Sequence, residues 1–198
     1  MGKTRIEAFS DGVIAIIITI MVLELHVPRG ASWAALEPVL PTLLGYALSF
    51  VYVGIYWNNH HHLFQAVRKI SGGVLWLNLH LLFWLSLIPF VTAWMSETGF
   101  ATVPVAAYGM VLFMCAVGHA ILEHRLARLN GGKHSLALAI GADRKGWMSL
   151  LAYACGIALG FVHAALGLAV YVLVALAWFI PDRRIEKLYE ADADAGPA

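Results

Sequence analysis

Apolar residues in this chain come in unbroken blocks about as long as a bilayer is thick, and that leaves few folds open. A half-buried strand alternates apolar and polar residues, and a surface helix spaces its apolar residues three and four apart. Neither pattern gives Gly12-Val13-Ile14-Ala15-Ile16-Ile17-Ile18-Thr19-Ile20-Met21-Val22-Leu23. A spanning helix needs about 20 such residues, range about 17–25, and in lipid only helices or a closed barrel satisfy their own backbone. Composition agrees: 61% of the 198 residues are hydrophobic and 13% charged, against roughly 45–50% and about 25% in soluble domains. The chain reads as an all-α integral membrane protein.

Six blocks follow one another. The first covers residues 6–25 and stops at Pro28-Arg29-Gly30, and Ser32–Pro41 makes a short connection with an interfacial turn at Trp33. The second runs from Thr42 to Phe64, closed off by Arg68, Lys69 and Gly72-Gly73. The third, Val74–Met95, contains Asn78, His80 and Pro89. The fourth, Val105–Leu126, leads into the longest polar connection, Ala127–Gly146, with Asn130-Gly131-Gly132 at its tip. The fifth and sixth, Trp147–Val162 and Ala165–Ile180, are shorter and meet at a turn near His163. Residues 1–189 are thus expected to form one six-helix transmembrane domain, and residues 190–198 a short, acidic, disordered tail.

All but Arg29 of the 13 Lys and Arg fall on one side of such a bundle. Both termini are therefore expected in the cytoplasm. The cations sit at block ends without forming a stripe, so the net charge of +1 carries no nucleic-acid footprint. Cys115 and Cys155 lie inside apolar blocks and read as small buried hydrophobes.

The first block has a polar root, since Glu7, Ser10 and Asp11 stand where an unpaired carboxylate is costly. It has too little positive charge ahead of it, and no small-residue cleavage site behind it, to be a signal peptide. At 100° per residue, Arg5, Phe9, Gly12, Ile16, Thr19, Ile20 and Leu23 share one stripe, with Glu7, Ser10 and Asp11 on the far side. Two readings of the stripe stand open. It packs against another helix, with Gly12 and Ala15 allowing close approach, or it faces its own copies around an axis. Asp11 has no donor one turn away on its own helix. Candidates at matching depth are Trp57, Asn59, His60, His61 and His62 at the end of the second block, and Asn78 and His80 near the start of the third. A cluster of Ser10 and Asp11 with these groups would pin the first helix to the bundle.

Arg5-x-x-x-Phe9-Ser10-Asp11 heading a spanning helix resembles the signature of the transmembrane-protein-175 family, the endosomal and lysosomal potassium channels and their bacterial relatives. Tyr56-Trp57-Asn58-Asn59-His60-His61 and Leu85-x-x-Ile88-Pro89-Phe90-x-Thr92 are also similar to that family. The likeness covers residues 4–95, and beyond that only span number and polarity agree. It implies a homotetrameric, potassium-permeable cation channel with six transmembrane helices per subunit. Its first helix would line a central pore without a carbonyl filter. The constriction would lie at Ile16, with Ile20 and Leu23 further along the same face, and selectivity would involve Ile16 and Thr19. Arg5, Phe9, Ser10 and Asp11 would form a structural motif network with Trp57, Asn59, His60, His61, Asn78 and His80. No cofactor and no metal is implied beyond permeant K⁺.

A ring of four Ile16 side chains would gate by dewetting. Thr19 either offers its hydroxyl to the ion or bonds the carbonyl of Ala15. Glu24 either concentrates cations at the outer mouth or does nothing. Val51-Tyr52-Val53-Gly54-Ile55-Tyr56 looks like a carbonyl filter but lies in a continuous apolar block with no pore helix before it. Adjacent His60, His61 and His62 point three ways on a helix, which a metal site does not want. No nucleophile with a base in reach stands out, so an enzyme is not expected. The rival function is a proton-coupled secondary transporter that uses Asp11 and the nearby histidines.

Overall fold

The computed structural model describes residues 2–130 and 144–179, and the tail beyond Ile180 lies outside them. Helix α1 spans Lys3–Leu23. A 3₁₀ segment at Trp33–Val39 precedes α2, Leu40–Gln65. Then come α3, Gly72–Ser86, α4, Ile88–Glu97, and α5, Thr102–Leu129. The last two helices are α6, Arg144–Val162, and α7, Ala164–Phe179. No strand occurs among the described residues.

Among the described residues, five stretches are long and apolar enough to cross a membrane: Lys3–Leu23, Trp33–Gln65, Gly72–Glu97, Thr102–Leu129 and Lys145–Val162. Helix α7 is apolar but shorter, at 16 residues, or about 24 Å at 1.5 Å per residue. The sequence predicts six spans, and the sixth is this shorter helix.

Two boundaries differ from expectation. The third block is not one rod, because it breaks at Leu87, between α3 and α4. Pro89 has no N–H for the carbonyl four residues back, so it takes a place in the first turn of a new helix, where that N–H is not missed. The fourth block also runs further than expected, to Leu129. Leu126 and Ala127 pack into the core rather than opening the loop, and Asn130 is the residue after the helix. Gly131 and Gly132 lie outside the described residues.

Helix α5 is central, packing on α3, α4, α6 and α7, while α1 leans on α2, α3 and α4. One set of polar groups inside the bundle forms a continuous hydrogen-bonded chain. Thr92 Oγ1 donates to the Ile88 carbonyl at 2.7 Å. Its only proton is then spent, so Ser49 Oγ donates to Thr92 at 2.7 Å and Tyr108 donates to Ser49 at 3.0 Å. The chain Tyr108, Ser49, Thr92 ties α5, α2 and α4 together, with every hydroxyl proton placed.

The bulky Tyr171 of α7 fits because the helices facing it carry glycines. A Cβ on Gly109 would collide with the Tyr171 hydroxyl and ring, and one on Gly156 would come within 2.6 Å of Tyr171 Cε1. Tyr171 is fully buried and its hydroxyl has no partner among the described residues. Gly109→Ala should therefore cost about 1–3 kcal/mol through overpacking and lower the thermal midpoint in detergent. Tyr171→Phe breaks no bond and should leave that midpoint unchanged or raised, as read by size-exclusion chromatography after heating.

Candidate functional site: the first helix and its polar root

Helix α1 has two faces. Ile6, Ser10, Ile14, Ile17 and Met21 are buried against the bundle. Arg5, Phe9, Gly12, Ile16, Thr19, Ile20 and Leu23 are all exposed, with Ile16 at 58% and Leu23 at 80%. No atom outside its own helix lies within 4 Å of where a Cβ on Gly12 would sit, so close approach between the described helices does not explain that glycine.

The buried face is fixed by hydrogen bonds at its polar end. Asn78 Nδ2 of α3 donates to Ser10 Oγ at 2.9 Å, and His60 Nε2 of α2 donates to Asn78 Oδ1 at 2.8 Å. All three residues are buried. Ring stacking on Phe64, at 4.4 Å between centroids, holds the imidazole of His60 in plane for that bond. Asp11 is half-buried and accepts a hydrogen bond from Trp57 Nε1 at 3.0 Å. Lys3 Nζ reaches the carbonyl of Gln65 at 3.2 Å and lies 4.0 Å from Glu7. The root of α1 is thus tied to α2 at two places and to α3 at one.

The remaining residues of the expected network stand apart from this chain of bonds. His61 stacks on Trp57, 5.9 Å between centroids, and accepts from Gln65 Nε2 at 2.7 Å. Stacking there buttresses the donor that serves Asp11. Asn59 is half-buried and outside the network. His80 accepts from Trp84 Nε1, one turn along its own helix, at 3.3 Å. Its ring lies against Gly118 of α5, away from Ser10 and Asp11. Thr19 Oγ1 donates to the carbonyl of Ile16 at 2.9 Å, three residues back rather than four. The Val51–Tyr56 stretch is helical within α2.

One feature carried no sequence signal. A groove of about 790 Å³ runs between α1 and α4, walled by Val13, Ile16, Ile17, Ile20, Pro89, Phe90, Ala93 and Trp94. Ser86, Glu24 and Glu97 supply its polar groups. It depends on the break at Leu87, which only the folded third span reveals. Ser49 and Thr92, by contrast, were visible as polar residues in apolar blocks.

The model of the family described as endosomal/lysosomal potassium channel TMEM175 matches residues 5–89, from the root of α1 to the start of α4. A potassium channel of Chryseobacterium sp. (strain P1-3) is 56% identical over 187 residues, covering 94% of this chain and 97% of that protein. The chain belongs to the TMEM175 family. Members of that family are ion channels, not enzymes. The crystal structure of a lysosomal potassium-selective channel TMEM175 homolog from Chamaesiphon minutus has a TM-score of 0.77 and 27% identity. It covers 90% of this chain and 96% of that one. The endosomal/lysosomal proton channel TMEM175 of Mus musculus is 35% identical over 129 residues, and the match spans 26% of that longer protein.

Burial ranks the anchoring bonds. Asn78→Leu would strand Ser10 and His60 without partners inside the bundle, at about 1–3 kcal/mol for each buried group left unpaired. Trp57→Phe removes one bond at a partly exposed site and should cost about 1 kcal/mol. A thermal melt of the detergent-purified protein, followed by its monodisperse fraction, should rank Asn78→Leu well below Trp57→Phe. Equal midpoints would mean that Asn78 is not a keystone.

Proposed function

We propose that this chain is the subunit of a homotetrameric, potassium-permeable channel in which the exposed face of α1 lines a central pore. The observation that carries the reading is the division of α1 itself. Ser10 and Asp11 are held by α3 and α2, and that grip leaves Ile16, Thr19, Ile20 and Leu23 exposed, with Ile16 and Ile20 also walling the groove beside α4. Membership in a family of channels, and relatives named for potassium, support an axis rather than lipid as the neighbour of that face. Lys and Arg placement supports cytoplasmic termini, and the bacterial relatives support a bacterial plasma membrane.

Ile16 would form the constriction, with Ile20 and Leu23 outward of it. Four isoleucines at a narrow waist offer a hydrated cation nothing in exchange for its water, so the waist conducts only when it widens or the ion sheds its shell. Thr19 would supply the first polar contact beyond it. Its proton is committed to the Ile16 carbonyl, which leaves the oxygen's lone pairs for a cation. Glu24 at the outer end would raise the local cation concentration. No cofactor enters this mechanism.

Purified protein in liposomes should pass K⁺ passively, and the flux should persist when an ionophore collapses any proton gradient. Flux that is strictly proton-linked would instead favour the transporter reading through Asp11 and the histidines. Ile16→Asn places a polar side chain at the waist, removing the dewetting barrier. It should raise leak several-fold and lower the K⁺ over Na⁺ ratio in the same vesicles. Unchanged conductance in that variant would remove Ile16 from the constriction.

A further inference from the structure

The groove between α1 and α4 keeps its charged groups at one end. Lys3 at the start of α1 meets Gln65 at the end of α2, and Gly45 near the start of α2 lies against Ser96 near the end of α4. Helices α1 and α4 therefore run the same way. Glu24, the residue after α1, and Glu97, the last of α4, both line the groove, at the end away from Lys3. From Val13 to Glu24 the α1 wall covers eleven positions, or about 16 Å at 1.5 Å per residue. Short of the two carboxylates, every wall residue except Ser86 is aliphatic or aromatic. Ser86 Oγ spends its proton on the carbonyl of Phe83 at 2.7 Å, so it donates nothing to the groove. A volume of about 790 Å³ falls within the roughly 300–1,000 Å³ of small-molecule sites.

No Lys, Arg or His lines the groove. Among the described residues the ion pairs are Lys3 with Glu7 and His119 with Glu123, and neither Glu24 nor Glu97 enters one. Both are exposed. Trp94 stands one turn before Glu97, and its ring lies 6.1 Å from that of Phe90, with 31° between the planes. Both rings are exposed as well as walling the groove. Ring faces attract cations, and quaternary ammonium groups are well suited to them.

We propose that this groove binds an amphiphilic organic cation, a quaternary ammonium head on an apolar tail. The head sits at the end marked by Glu24, Glu97 and Trp94, and the tail lies along Ile16, Ile20 and Phe90. An anionic headgroup would meet two like charges there. A neutral chain would leave both carboxylates unused, and a small hydrophilic cation would leave the trough empty. Two solvated carboxylates alone hold a cation weakly, and burial of the tail supplies the rest. One chain provides every wall of this seat, so the site does not rest on what the exposed face of α1 meets.

The test uses the full chain in nonionic detergent, with adducts on each assembled species counted by native mass spectrometry. The probes are dodecyltrimethylammonium, dodecanol with the same tail and no charge, and tetramethylammonium with the same head and no tail. Dodecyltrimethylammonium should be retained about tenfold over either, since each exposed charge pair is worth up to about fivefold. Glu24→Gln combined with Glu97→Gln should remove that advantage and leave dodecanol binding unchanged. Trp94→Leu keeps an apolar wall and should weaken the cation alone, by about threefold. Ala93→Phe fills the trough and should abolish retention of both dodecyl compounds. Equal retention of cation and dodecanol, or undiminished cation binding in the double Gln variant or in Ala93→Phe, would overturn the site. So would binding to single chains that is lost in the assembled species, because the groove would then be covered by a second copy.

Discussion

The hydrogen-bonded series from His60 through Asn78 to Ser10 is the interaction on which the rest of α1 depends. Apolar contacts alone would hold a helix as rich in Ile as this one almost equally well after a small rotation, because one branched side chain replaces another. A polar bond among buried groups has no such tolerance. Turning α1 would leave Ser10 and Asn78 unpaired where no water can serve them, and each orphaned group costs more than the bond is worth when made. The bond to Asp11 from Trp57 and the reach of Lys3 to Gln65 act on the same end of the helix. Three small polar contacts thus set which residues α1 shows to the outside.

The scaffold that receives α1 is itself fixed by polar contacts between helices. Tyr108, Ser49 and Thr92 donate hydrogen bonds in one direction, ending on the Ile88 carbonyl. That carbonyl belongs to the first residue of α4, just after the break that Pro89 imposes. A broken span without a local partner would pivot at Leu87. Here the second half is bonded to α2, and through Ser49 to α5, within its first turns, and Gly45 lets α4 approach so closely that a Cβ there would clash with Ser96. The break therefore changes direction without adding freedom, and it opens the groove against which Ile16 and Ile20 stand.

Much of this was legible in the sequence because membrane spans obey a simple rule. Apolar length reports helices, and cations report block ends. The 3.6-residue period separates Ser10 and Asp11 from Ile16 and Ile20 with no tertiary knowledge, and the structure finds the two sets on buried or half-buried and exposed faces. What stayed hidden has a common cause. Seven polar side chains stood at a plausible depth for Asp11, and depth alone does not choose among them. Azimuth does: Trp57 points at α1, His60 at α3, and His80 along its own helix to Trp84. Asn130 was read as a turn residue from its Asn-Gly-Gly context. Its real task, bonding a loop 61 and 62 positions earlier, leaves no trace in local pattern. Pro89 was visible, but whether a proline kinks a span or divides it is settled by the packing around it.

The groove beside α1 bears on how a hydrophobic waist would be held. Inside the chain, Ile14, Ile17 and Met21 are braced by the core, whereas Ile16 and Ile20 stand between the groove on one side and open space on the other. A waist made of unbraced side chains has no fixed diameter. On the reading that four copies of α1 share an axis, the brace for Ile16 comes from other subunits, not from its own. The diameter then becomes a property of the assembly, while rotation remains a property of each chain. On that reading anchor and waist lie about 1.7 helical turns apart, since Ile16 stands six positions after Ser10. That spacing lets the polar root hold α1 in register while the aliphatic segment responds to its neighbours. On the same reading it would keep strongly polar groups and a dewetting segment in separate surroundings. Water drawn to Asp11 or His60 would otherwise wet the waist and abolish the barrier that isoleucine provides.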